Sequence, residues 1–139
     1  MPIVISDVLL VSPGDLIRPV SIELREDGLI GAIHEGHHPP DGSEVIFDGG
    51  GEVYVTAGFI DIHTHGAMGF DLSYGTLEAV EAMAKAKLSE GVTTFLPTTW
   101  TATPEHKIRM AEAVAEYRKN QRYARAPFLH VEGPYLNPL

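Results

Sequence analysis

From Val53 onward the chain alternates short apolar runs with two helix-forming stretches, and this order constrains its fold more than any other feature. Val53-Tyr54-Val55 leads through Thr56-Ala57-Gly58 into a strand over Phe59–His65. A helix is expected from about Leu77 to Glu90. Thr76 is its N-cap, Leu77, Val80, Ala84 and Leu88 form its apolar stripe, and Gly91 closes it. Val92–Leu96 reads as the next strand, stopped by Pro97. Thr103 caps a second helix with Pro104 at its first position. That helix runs to about Asn120 and is expected to bury Ile108, Ala111 and Ala115. Pro127–Glu132 reads as a third strand, stopped by Gly133-Pro134.

Strands that alternate with helices imply parallel pairing through right-handed crossovers. The expected fold class is therefore α/β, the start of either a doubly wound sheet or a (β/α)₈ barrel. A barrel needs about 250 residues, about three times the stretch from Val53 to Leu139. The sequence stops as a third strand-to-helix loop begins, so a shortened chain is expected. Residues 1–52 read as short strands and turns: Val4-Ile5, Val8–Val11, Val20–Leu24, Leu29–Ile33 and Val45–Phe47. They suit part of a small β-sandwich or another strand-rich layer. The expected division is thus 1–52 and 53–139.

Charge and composition narrow the partners. The net charge of −9 argues against non-specific binding to nucleic acid or an anionic membrane. An anionic substrate would have to meet local positive groups. With no cysteine, disulfides and thiolate chemistry are excluded, and any metal must sit on histidine and carboxylate. No apolar run reaches the ~18 residues of a membrane span. The N-terminus lacks a basic region followed by an apolar core. A cytoplasmic location fits these features.

Parallel strand–helix folds gather functional groups at the C-terminal ends of their strands. The first end offers His63 and His65, which share a face because side chains alternate with period two. Two such imidazoles either grip one metal ion or serve as ordinary hydrogen-bonded residues. The second end offers Thr98, Thr99 and Trp100, and the third His130, Glu132 and Asn137. Glu132 either completes a His₂Glu set suited to Zn²⁺ or Fe²⁺, or is a surface acid before a turn. Asp61 shares the histidines' face and either orients a ligand from behind or caps a nearby backbone group. His130 either touches substrate or packs in the core. Trp100 either lines a sugar site or packs over the rim. His34, His37, His38 and His106 are expected to be solvated. Gly66–Asp71 lacks the nucleotide-binding glycine patterns and would at most let backbone approach a substrate.

Val55-Thr56-Ala57-Gly58-Phe59-Ile60-Asp61-Ile62-His63-Thr64-His65 resembles the metal-binding first strand of the amidohydrolase superfamily. Gly91–Thr98, and above all His130-Val131-Glu132-Gly133-Pro134-Tyr135-Leu136-Asn137-Pro138, resembles the N-acetylglucosamine-6-phosphate deacetylases within it. The resemblance covers nearly the whole chain and about the first third of that family's length. It departs at Ala57, where many superfamily members carry proline. It implies three units of a (β/α)₈ barrel beside part of a small β-sandwich. It also implies a divalent metal, one ion or two, with His63, His65 and Glu132 as ligands. His130 and Asn137 become candidates for contact with a phosphorylated amino sugar, and Asp61 for support of the ligands. The family's catalytic aspartate, two further metal histidines and most phosphate-binding groups would lie beyond Leu139. A homo-oligomer, or association with the rest of the barrel, would complete the fold. Two alternatives stand beside this reading. One is a cyclic-amide hydrolase of the dihydroorotase or hydantoinase type, disfavoured by the lack of a lysine on the third strand. The other is a non-catalytic metal-binding or interaction fragment.

Overall fold

The computed structural model describes residues 1–14, 17–133, 135 and 137. Two compact units divide the chain, one over Met1–Ala57 and the other over Gly58–Leu139.

The first unit is a five-stranded sheet. Strands β1 (Ile3–Leu10), β2 (Arg18–Leu24), β3 (Ile30–Glu35) and β4 (Glu44–Asp48) lie in the order β3-β2-β1-β4. β5 (Tyr54–Val55) pairs with the far end of β1. β1 is antiparallel to β2 and parallel to β4 and β5. Val4–Ile5 and Val8–Leu10 thus belong to one strand rather than two. Asp7 interrupts it with a positive φ of 48°, and the register with β2 shifts there. This bulge is braced by the Gly51 N–H on the Asp7 carbonyl and by His37 Nδ1 on its carboxylate at 2.7 Å. Val8, Val20 and Ile22 form the core, flanked by Ile5, Leu10, Leu24 and Val55.

The second unit is mixed α/β. β6 (Phe59–Thr64) and β9 (Val92–Pro97) pair in parallel, with α1 (Leu77–Ser89) between them in sequence and α2 (Pro104–Lys119) after them. β7 (Gly66–Ala67) and β8 (Phe70–Asp71) make a hairpin whose turn residues, Met68 and Gly69, both have positive φ. A 3-10 turn, Leu72–Tyr74, follows. The helix termini match their sequence signals. Thr76 accepts from the Ala79 N–H and Thr103 from the His106 N–H. Pro104 opens α2, and Gly91 follows α1 at φ 82°. Gly58 is required by crowding, since a methyl built there would lie 2.1 Å from Thr93 Cγ2.

Three expectations are corrected. The third strand is absent as a continuous strand among the described residues. Its backbone meets β9 at two separate bridges, Thr94 with Arg125 and Thr98 with His130. Pro127 lies between them and has no N–H to give a ladder, so the pairing breaks there. In α1, Val80 and Ala84 are buried, but Leu77 and Leu88 are 40% and 43% exposed. Ala79, Met83 and Ala86 take their place, because the hairpin and α2 cover that side of the helix as well as β9. In α2 the buried face is Met110, Ala113, Val114 and Tyr117. This lies on nearly the opposite side from Ile108, Ala111 and Ala115. Both sets fit a helical period, and the longer side chains bury more area. Fully burying a residue such as Met83 or Met110 contributes about 1.5–3 kcal/mol, and the neighbouring elements decide which stripe gains it.

Candidate metal centre

β6 ends at Thr64, where the Thr64 N–H donates to Thr98 Oγ1 at 3.0 Å and its carbonyl accepts from the Thr98 N–H. This lock sets the heights of the first two strand ends. Thr98 is fully buried, and its hydroxyl donates onward to the Leu96 carbonyl. The Thr99 N–H donates to the His130 carbonyl, and the Glu132 N–H donates to Thr99 Oγ1 at 3.0 Å. So Thr98 and Thr99 bring both flanking segments to one level.

His63, His65 and Glu132 converge there. The two histidine Nε2 atoms stand 3.2 Å apart, and Glu132 Oε2 lies 3.2 Å from that of His63 and 3.3 Å from that of His65. Two donors held about 2.1 Å from one metal are about 3.0 Å apart at a right angle and about 3.4 Å apart at the tetrahedral angle. The three observed separations fall between these limits. The donor chemistry agrees. His65 Nδ1 faces the Thr98 carbonyl at 3.2 Å, so that nitrogen carries the proton and Nε2 keeps its lone pair. The His65 lone pair, the His63 imidazole and the Glu132 carboxylate thus present three potential donor atoms to one point. The residues therefore fit a divalent ion.

The neighbours divide into those that touch the cluster and those that do not. The His130 ring meets the His63 ring edge-on at 4.8 Å, and its Nδ1 donates to the Ile62 carbonyl at 2.8 Å. Asp61 reaches the backbone of a candidate ligand. Its Oδ1 accepts from the His63 N–H at 3.0 Å, and its Oδ2 pairs with Lys87 Nζ at 3.2 Å. Burial opposes the Lys87 charge, but the carboxylates of Glu90 and Asp61 outweigh it and hold the ammonium above its ordinary range. Asn137 is exposed, and positions 136 and 138 beside it lie outside the described residues, as do 134 and 139.

Three further residues support the cluster; the sequence offered Trp100 for a sugar site or the rim and gave no role to the Asp71 or Lys107 side chains. Trp100 stacks on His65 at 3.8 Å and 21°. Asp71, from the glycine-rich hairpin, accepts the Trp100 indole N–H on both oxygens. Burial works to raise the Asp71 carboxyl, but Ser73, Trp100 and the nearby His65 together keep it below the ordinary range. Lys107, from α2, donates to the Glu132 carbonyl at 2.5 Å. Their alignment with the cluster depends on contacts across the fold, which no local pattern encodes. His106 is likewise not solvated as expected, since its Nε2 donates to the Ser73 carbonyl. His34 pairs with Glu23 and His37 with Asp7.

The amidohydrolase family profile matches residues 54–130, which include both histidines and the run up to His130. This chain belongs to the amidohydrolase family. Among curated relatives, the N-acetylglucosamine-6-phosphate deacetylase of Vibrio furnissii is 34% identical over 83% of this chain and 28% of its own length. That of Haemophilus influenzae is 39% identical over 60% of this chain and 22% of its own. The crystal structure of the Pasteurella multocida deacetylase superposes with a TM-score of 0.84 at 27% identity, covering 99% of this chain and 36% of that one. A dihydroorotase shares the fold alone, at 21% identity and a TM-score of 0.51. The chain thus spans about a fifth to a third of the length of the curated relatives it matches. Family members are metal-dependent, in keeping with the three converging donors. Among the described residues, no helix is long and apolar enough to cross a membrane.

Proposed function

We propose that this chain contributes the metal ligands His63, His65 and Glu132 to a deacetylase acting on N-acetylglucosamine 6-phosphate. The observation that carries this reading is the convergence of those three donors within 3.3 Å of one another on a chain whose curated relatives bear that deacetylase's name. In this reading residues 53–139 are the first three strand–helix units of a (β/α)₈ barrel, and 1–52 are part of a small β-sandwich. Zn²⁺ or Fe²⁺ is the cofactor, as one ion or two. The proton-carrying aspartate and most phosphate contacts come from polypeptide outside this chain.

When bound, the metal polarises an amide carbonyl and lowers the pKa of water. The chain's own residues set the stage for that chemistry. The Thr98 carbonyl fixes the His65 tautomer. The Glu132 carboxylate offsets the cation's charge. His130, with Nδ1 committed to Ile62, presents Nε2 as an acceptor for a sugar hydroxyl or amide N–H. Asn137 supplies a second polar contact to the substrate. A phosphate remote from the amide gives charge-assisted hydrogen bonds whose energy positions the carbonyl. Phe59, Ile60 and Ile62 stand about two-thirds exposed on β6, which supports association with further barrel strands or a second copy. The reading places the protein in the cytoplasm, with a small phosphorylated sugar as its partner and neither nucleic acid nor membrane.

The test has two parts. Zn²⁺ titration of the chain should give tight binding that Glu132→Gln weakens by at least tenfold, because a neutral amide is a poor ligand. Amide hydrolysis by the complete polypeptide, compared as kcat/KM, should follow the order N-acetylglucosamine 6-phosphate, then N-acetylglucosamine, then a dihydropyrimidine amide read by ring opening. Chelator should abolish it and divalent metal restore it, while this chain alone should show no turnover. A cyclic amide as best substrate would overturn the substrate assignment and leave the metal site standing.

A further inference from the structure

His65 lies one residue beyond the end of β6, where the strand ladder no longer holds its backbone. Its ring is nevertheless fixed by contacts that close into a circuit. The His65 carbonyl accepts from the Leu72 N–H at 2.8 Å, tying it to the start of the 3-10 turn. The residue before Leu72 is Asp71, whose carboxylate accepts the Trp100 indole N–H at 3.0 and 3.1 Å and the Ser73 N–H at 2.7 Å. The Trp100 ring returns to His65, lying 3.8 Å from the imidazole and nearly parallel to it. The fourth side is the Thr98 carbonyl on Nδ1, two residues before Trp100.

We propose that Trp100, held by Asp71, is a positioning residue that fixes the His65 imidazole as a metal ligand. The inference rests on the metal-centre reading above. Its physical basis is rotational. The Thr98 hydrogen bond fixes where Nδ1 points but leaves the imidazole plane free to rock about that axis. A flat indole against one face removes that freedom and excludes water from it. The indole needs its own anchor, and the two hydrogen bonds to Asp71 supply it. Asp71 belongs in the anchor as an anion, because an ionised acceptor makes the stronger bond. Partners that orient a ligand from behind typically change metal affinity about 10- to 100-fold.

Zn²⁺ affinity, read by competition with a chromophoric chelator, tests the proposal without any turnover. Trp100→Ala should weaken binding at least tenfold, and Trp100→Phe, which keeps the flat face and loses the N–H, should recover part of that loss. Asp71→Asn should fall near Trp100→Phe. Trp100 is the chain's one tryptophan, so its emission in the unmutated chain should change on Zn²⁺ addition and saturate with the same stoichiometry. Thermal melting of the metal-free variants separates positioning from folding: equal melting with unequal affinity supports the proposal. If Trp100→Ala does not fold, Trp100→Phe and Asp71→Asn decide it. Affinities within twofold of the unmutated chain in the folded variants would overturn the role of Trp100 while leaving the metal centre intact. Failure of the unmutated chain to bind Zn²⁺ would overturn the metal reading and this proposal with it.

Discussion

Lys107 Nζ lies 2.5 Å from the backbone carbonyl of Glu132, so α2 holds the acidic corner of the candidate metal centre. The same peptide segment is held from the other side by Thr99, whose hydroxyl meets both the Glu132 N–H and its carbonyl. Glu132 lies beyond the point where pairing with β9 ends at His130, and these contacts replace the missing ladder. Lys107→Met keeps the aliphatic stem and removes the donor. It should weaken Zn²⁺ binding about tenfold, while Lys107→Arg should restore most of the loss. Isothermal titration of the two variants would check this, and equal affinities would show the contact to be passive.

Gly58 should tolerate no side chain. The methyl of Gly58→Ala would fall 2.1–2.7 Å from three atoms of Thr93 at the start of the β6–β9 pair. A clash on a paired strand costs about 1–3 kcal/mol. The midpoint of urea unfolding should drop accordingly, and Thr93→Ala, which removes two of the clashing atoms, should rescue part of it. An unchanged midpoint in Gly58→Ala would contradict the packing described.

Tyr117 is buried at the base of α2, and its hydroxyl donates to the Ala124 carbonyl at 2.9 Å while accepting from the Tyr123 N–H. Burial pushes the phenol above its ordinary range. Tyr117→Phe leaves both backbone groups without their partner, at a cost of about 1–3 kcal/mol. Denaturant melts should record this loss with the circular dichroism of the folded state unchanged. A loss below about 0.5 kcal/mol would mean that those groups find other partners.

Asp71 predicts a pH dependence. Its carboxyl is held below the ordinary range in the folded chain, so folding favours its ionised form. The contribution is fully present above the unfolded value, about pH 4, and is lost as pH falls through the lower folded value. Melting temperature against pH should therefore drop on the acid side, and Asp71→Asn should flatten that drop by lowering the neutral plateau while leaving the acid end little changed. An acid limb of the same steepness in the variant would assign it to other carboxylates.

Sequence alone determined what depends on neighbours a few residues apart. The period of two put His63 and His65 on one face, and Thr76, Gly91 and the Thr103-Pro104 pair marked helix ends, because caps and alternation follow from local backbone geometry. Pro127 carried a local warning too, since a missing N–H interrupts a ladder wherever it falls. Tertiary structure decided the rest. Met110, Val114 and Tyr117 compete with Ile108, Ala111 and Ala115 on one helix at similar spacing, and only the neighbouring sheet and helix select which stripe is buried. Glu132 joins the histidines because Thr98 and Thr99 set the height at which its segment passes β9. Trp100 reaches His65 because a hairpin turn places Asp71 under its indole. Contacts between residues tens of positions apart depend on strand register and on which surfaces exclude water, and a local pattern encodes neither.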